Sequence, residues 1–99
     1  MKIICVGMNY AEHCKELNGG VLVKPDSPVI FMKPDSAILK GGKPFFIPDF
    51  TERFDYEAEL VLIMGENGKI FAATCGNDLS IREWQKATTQ WLCGKSYDG

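Results

Sequence analysis

Residues 54–71 constrain the fold more than any other stretch of this chain. Residues 54–64 read as a strand, Gly65-Glu66-Asn67-Gly68 as a turn, and Lys69-Ile70-Phe71 as the start of a returning strand. Asn-Gly between two apolar runs marks a hairpin, because both residues tolerate positive φ. The rest of the chain is cut into short elements by ten Gly and five Pro. A β-rich run at 2–6 is interrupted by Gly7. Residues 9–17 read as a short helix, with Asn9 as candidate N-cap and Asn18-Gly19-Gly20 as the stop. A strand at 28–32 runs into Lys33-Pro34, and 38–47 read as two short strands around Gly41-Gly42. Residues 79–89 fit a helix and 94–99 a loop. Strands joined by turns outnumber helices, which predicts an antiparallel or mixed sheet with a few helices in one domain spanning 1–99.

Composition narrows the class. With 45% apolar and 24% charged residues, the chain is not a disordered tail, a collagen-like repeat or a coiled coil. A net charge of −2 argues against a nucleic-acid partner, which selects for basic excess. No apolar run approaches membrane-spanning length, and the opening run at 1–6 is too short for a signal peptide. The expectation is a soluble, cytoplasmic chain. At 99 residues it buries about 60–65% of its unfolded surface, so its core alone leaves it marginally stable. Cys5, Cys14, Cys75 and Cys93 form no CxxC pair and no zinc-finger spacing, and are read as reduced thiols without a functional role.

Four constellations could carry chemistry. In Asp55-Tyr56-Glu57-Ala58-Glu59-Leu60, residues two apart share a face of a strand, so Glu57 and Glu59 point the same way. Paired carboxylates repel at a partly buried site unless a cation lies between them. A hard divalent ion resolves this, and oxygen ligation favours Mg²⁺, Mn²⁺ or Ca²⁺ over Zn²⁺. An exposed edge strand with two solvated glutamates is the competing reading. Asp78 could cap the next helix or give the ion a third carboxylate. Arg82 and Gln85 lie four and seven residues on, on the same helical face, and suit a carboxylate substrate or a plain polar surface. His13 and Glu16, at i,i+3, form either a general base with its orienting carboxylate or a surface ion pair. Lys95, in Gly94-Lys95-Ser96-Tyr97-Asp98-Gly99, could bind an anion or stabilise an enolate; the segment lacks the spacing of a phosphate loop.

In order along the chain come Asn9-Tyr-Ala-Glu-His13-Cys-Lys-Glu16, Pro28-Val-Ile-Phe-Met-Lys33-Pro34, Asp55-Tyr-Glu57-Ala-Glu59-Leu, Asn77-Asp78-Leu-Ser-Ile-Arg82-Glu-Trp-Gln85 and Gln90-Trp91 followed by Gly94-Lys95. This progression resembles the fumarylacetoacetate hydrolase family over nearly the whole chain, as the N-terminal and central part of its catalytic domain. The resemblance implies an α+β fold, a mixed β-sandwich or roll with a few short helices, incomplete at the C-terminus, and a homodimer. It implies Mg²⁺ or Mn²⁺ on Glu57, Glu59 and Asp78, and a small-molecule 2-oxo or 1,3-dicarbonyl acid as substrate. His13 and Glu16 match the water-activating dyad, Lys95 a catalytic and substrate-binding residue, and Arg82 and Gln85 substrate-binding positions. The implied reaction is hydrolysis of a carbon–carbon bond, as in acylpyruvates; the alternatives are an oxaloacetate-type decarboxylase or a hydroxy-dioate isomerase. One departure stands out: Asp78 follows Glu59 by 19 residues, less than the family's usual separation. A non-enzymatic alternative is an inactive, truncated piece whose exposed strand edges drive self-association.

Overall fold

The structure, a computed structural model, describes residues 1–96. Strand β1 (Ile3–Gly7) leads through helix α1 (Ala11–Leu17) to β2 (Val29–Lys33), and a 3-10 turn at Asp35–Ala37 follows. After a long irregular segment come β3 (Ala58–Met64), β4 (Ile70–Asn77), α2 (Arg82–Ala87) and α3 (Leu92–Lys95). The strands form two antiparallel pairs: β1 with β2, Ile3 opposite Lys33, and β3 with β4, Ala58 opposite Asn77. The result is an α+β arrangement of antiparallel sheets and short helices, as the family resemblance implied. No helix among the described residues is long and apolar enough to cross a membrane.

The central hairpin forms where Asn67-Gly68 predicts it, with Gly68 at φ +72°. Its second strand runs to Asn77, well past the expected start at 69–71. Its first strand is shorter than expected. Ahead of Ala58 the regular ladder gives way to a bridge between Asp55 and Ser80, and the Glu57 N–H donates to the Asn77 side chain instead of a backbone carbonyl.

Other elements differ from expectation for local reasons. Helix α1 starts at Ala11 with Tyr10 in the cap position, so Asn9 is not the cap. Its stop is as read: Gly19 and Gly20 both take positive φ, and the Gly20 N–H donates to the Lys15 carbonyl. Gly41 and Gly42 make their turn, but no strands flank it among 38–47. Pro44 lacks a ladder donor, and an isolated hairpin without a buried face is marginal in water. Helix α2 begins only at Arg82, because Ser80 is held extended by Asp55 and Ile81 donates to the Gly94 carbonyl. Asp78 therefore caps nothing. Gly94 and Lys95, expected in a loop, close α3; Tyr97, Asp98 and Gly99 of that expectation lie outside the described residues.

The most buried groups gather around the convergence of these elements. Ile81 and Cys14 are fully enclosed, but so are Ser80 and nearly so Lys95 and Asp78. The Cys14 thiol donates to the Met8 carbonyl at 3.1 Å, fastening α1 to a residue held at φ +53°. By contrast, the β3–β4 hairpin leaves its apolar side chains in solvent, Leu60 at 64% and Phe71 at 80% exposure.

Candidate active site

Glu57 immediately precedes β3, Glu59 is its second residue, and Asp78 follows the last residue of β4. The Asp78 N–H donates to the Glu57 carbonyl at 2.8 Å, continuing the hairpin pairing beyond the regular ladder. That pairing fixes Asp78 beside Glu57, while the two-residue period keeps Glu59 on the same side. One carboxylate oxygen from each of the three lies within 4.8 Å of the others. The 19-residue separation of Glu59 and Asp78 is thus enough, because a tight turn and two strands span it.

Three carboxylates this close are costly if left alone. At an effective dielectric of about 20, two unit charges roughly 5 Å apart repel by about 3 kcal/mol. Cations answer this here. The Lys95 ammonium, 3% exposed, donates to Glu57 Oε2 and Asp78 Oδ2, both at 2.8 Å, and lies 5.5 Å from the centroid of the Phe31 ring. Lys33 pairs with Asp78 Oδ1. Arg82 contacts Glu57 Oε1, and donates to Asp55 Oδ2 at 3.0 Å and to Gln85 Oε1 at 2.8 Å. The Glu59 carboxylate makes no hydrogen bond or close ion pair among the described residues. Burial, and then the charges of Asp78 and Glu57, push its carboxyl above the ordinary range. Burial and the Asp78 charge likewise push the neighbouring Cys5 thiol up, so it stays protonated. Asp55 shifts the other way, its hydrogen bond from Arg53 and then that from Arg82 holding its carboxyl down against desolvation.

Lys95 reaches the cluster because α3 lies unusually close to α2. Gly94 has no side chain to hold them apart: a Cβ there would sit 2.5 Å from the Gln85 amide nitrogen. Gly7 does the same for the adjoining ring, where a Cβ would collide with Trp91, whose ring centroid lies 5.4 Å from that of Phe31.

The sequence-derived residues all line one open cavity of about 890 Å³: His13, Glu16, Glu57, Glu59, Asp78, Arg82, Gln85 and Lys95. His13 Nδ1 is 4.0 Å from Glu16 Oε2, a loose pair at the exposed lip. Two participants were not singled out from sequence. Asp55 anchors the Arg82 fork, and Lys33 neutralises Asp78. Alternation along β2 carries the signal for Lys33, since it shares a face with Val29 and Phe31.

The donor set suits a hard divalent ion. Two oxygens on one Mg²⁺, each at about 2.1 Å, are at most about 4.2 Å apart. Oxygens at neighbouring octahedral positions are about 3.0 Å apart, so a set spread over up to 4.8 Å has to draw together to hold the ion. Asp78 Oδ1 is buried and accepts no hydrogen bond beyond its ion pair with Lys33.

Comparison with known proteins shows the family. The family model for the fumarylacetoacetate (FAA) hydrolase C-terminal domain matches residues 2–99. The chain is 40% identical over 109 aligned positions to the mitochondrial oxaloacetate tautomerase fahd2 of Xenopus laevis, covering 98% of this chain and 33% of that protein. That alignment is longer than this chain's 99 residues, so at least ten positions have no counterpart here. Among solved structures, 5-carboxymethyl-2-hydroxymuconate delta-isomerase from Mycobacterium smegmatis superposes with a TM-score of 0.79 at 36% identity, over 98% of this chain and 41% of that one. Fumarylacetoacetate hydrolase from Exiguobacterium antarcticum gives 0.76 at 34% identity, over 99% and 38%. The chain spans about a third of the curated relative and about two fifths of these structures. With a family model matched from residue 2 to residue 99, the chain belongs to the fumarylacetoacetate hydrolase family.

Proposed function

We propose that this site binds a 2-oxo or 1,3-dicarbonyl acid and hydrolyses a carbon–carbon bond in it, using Mg²⁺ or Mn²⁺ held by Glu57, Glu59 and Asp78. The observation that carries this reading is the convergence of those three carboxylates with Lys95 in the cavity that also holds His13 and Glu16. When bound, the ion supplies positive charge where the keto oxygen gains negative charge. Lys95 has three N–H donors and gives two to Glu57 and Asp78, leaving one for a developing enolate. Arg82 is held by Asp55 and Gln85, and so keeps Glu57 in place while presenting cationic charge to the substrate's carboxylate. His13 takes a proton from water, and Glu16 steadies the resulting imidazolium. The water oxygen, keeping one proton, bonds to the acyl carbon; the broken bond's electron pair passes to the 2-oxo fragment as an enolate, whose carbon takes the proton back from His13.

A second reading is tautomerisation, isomerisation or decarboxylation of a related acid, which needs the enolate sink but no activated water. The 4.0 Å His13–Glu16 separation favours it, as do the names of the tautomerase and isomerase relatives. Purified protein loaded with Mn²⁺ separates the two readings. Acylpyruvate cleavage, lost in His13→Ala, is the expected result. Absence of cleavage alongside rapid enol–keto conversion or decay of oxaloacetate would overturn hydrolysis in favour of the second reading.

A further inference from the structure

We propose that Lys33 is a built-in counter-ion of the carboxylate cluster, and that a divalent ion enters by exchange with its ammonium. This rests on the reading of Glu57, Glu59 and Asp78 as metal ligands. Three cationic side chains, Lys33, Lys95 and Arg82, stand against those three carboxylates. Every oxygen of Glu57 and Asp78 contacts one of these cations, so the metal-free cluster is already neutralised from within. An ion entering that arrangement adds two positive charges to a balanced site, and one resident cation must withdraw from the oxygen it holds.

The three cations are not equally able to leave. Lys95 is 3% exposed, is fixed by two hydrogen bonds and lies over Phe31. Arg82 is tied to Asp55, Glu57 and Gln85 together. Lys33 touches Asp78 alone and sits at the last position of β2, where Pro34 ends the strand; its side chain is 15% exposed, the same as that of Arg82, so the single contact sets it apart. A lysine stem is long and flexible, so its ammonium can withdraw while the backbone stays paired. Lys33 therefore sets the metal affinity without being a ligand. The withdrawn ammonium and the bound ion together leave the site positive, which suits a doubly anionic 2-oxo acid more than a neutral carbonyl compound.

The test is calorimetric Mn²⁺ titration of the wild-type chain, Lys33→Met and Glu57→Gln/Glu59→Gln, together with thermal melts of each without metal. Exchange predicts that Lys33→Met binds Mn²⁺ at least tenfold more tightly than wild type and melts lower when metal-free, while the double glutamate variant loses binding. Unchanged or weaker Mn²⁺ affinity in Lys33→Met, with binding still lost in the glutamate variant, would overturn the exchange and leave the metal reading standing. No binding to wild type or to Lys33→Met would overturn both. A measurement on the wild type needs no variant to fold: amine labelling followed by mass spectrometry, with and without Mg²⁺. Exchange predicts greater labelling of Lys33 with Mg²⁺; unchanged or reduced labelling contradicts it.

Discussion

Glu59 and Asp55 lie four residues apart and are shifted in opposite directions, with opposite consequences for stability. The Glu59 carboxyl is pushed up by burial and by its acidic neighbours. A carboxyl with a raised native value holds its proton more tightly folded than unfolded. Metal-free protein should therefore lose stability as pH rises from the ordinary glutamate value of about 4.3 through the native value. Glu59→Gln removes that loss: metal-free melts across pH 4–8 should show a flatter profile and a higher neutral-pH melting temperature than wild type, by a few degrees. A lower melting temperature at neutral pH would show that the charge is not a liability there. Asp55 is held down by Arg53 and Arg82, so its contribution is present above about pH 4 and lost as pH falls through the native value. Asp55→Asn should thus be less stable than wild type at neutral pH and converge with it in acid.

At the scale of elements, the site depends on how closely two short helices and a hairpin end approach one another. Gly94 is the tightest point: a methyl group there meets the Gln85 backbone, not a side chain that can yield. Gly94→Ala should cost about 1–3 kcal/mol, the usual range for overpacking, in a denaturant melt. An unchanged melt would mean that the two helices are free to separate. Legibility in the sequence follows the same distinction between local and distant contacts. Glu57 and Glu59 could be read as a pair because strand alternation is a local rule, and Asn67-Gly68 placed the hairpin for the same reason. Lys33 and Asp55 escaped, since each matters through partners far along the chain. Alternation groups Lys33 with Phe31, but the docking of Trp91 and Lys95 decides that this face turns inward. The strands expected at 38–47 failed on the same ground: the Gly41-Gly42 turn is local, whereas flanking strands need a surface to cover.

The whole molecule exposes more surface than a self-sufficient domain. Its accessible area is 7685 Å² for 11.0 kDa, where a monomeric protein of that mass has about 5,600 Å². Its radius of gyration is 14.5 Å, against about 13 Å for a compact domain of this length. Much of the excess is apolar and lies on β3–β4, where Leu60, Leu62, Met64, Ile70 and Phe71 are all exposed. Exposed patches of this kind mark interfaces or aggregation sites. The purified chain should therefore associate at micromolar concentration in sedimentation velocity, as a defined dimer if a second copy covers the hairpin and as larger species otherwise. Leu62→Lys should shift it toward monomer. A monomer at every concentration, with a sharp cooperative melt, would contradict this reading of the hairpin.

All of the chemistry argued for this chain rests on Glu57, Glu59 and Asp78 holding one divalent ion. Mn²⁺ titration of wild type and Asp78→Asn, followed by the electron paramagnetic resonance of the free ion, tests that most directly. One saturable site per chain is expected in wild type, with at least a tenfold loss of affinity in Asp78→Asn. Equal binding by the two proteins, or none by the wild type, would contradict it.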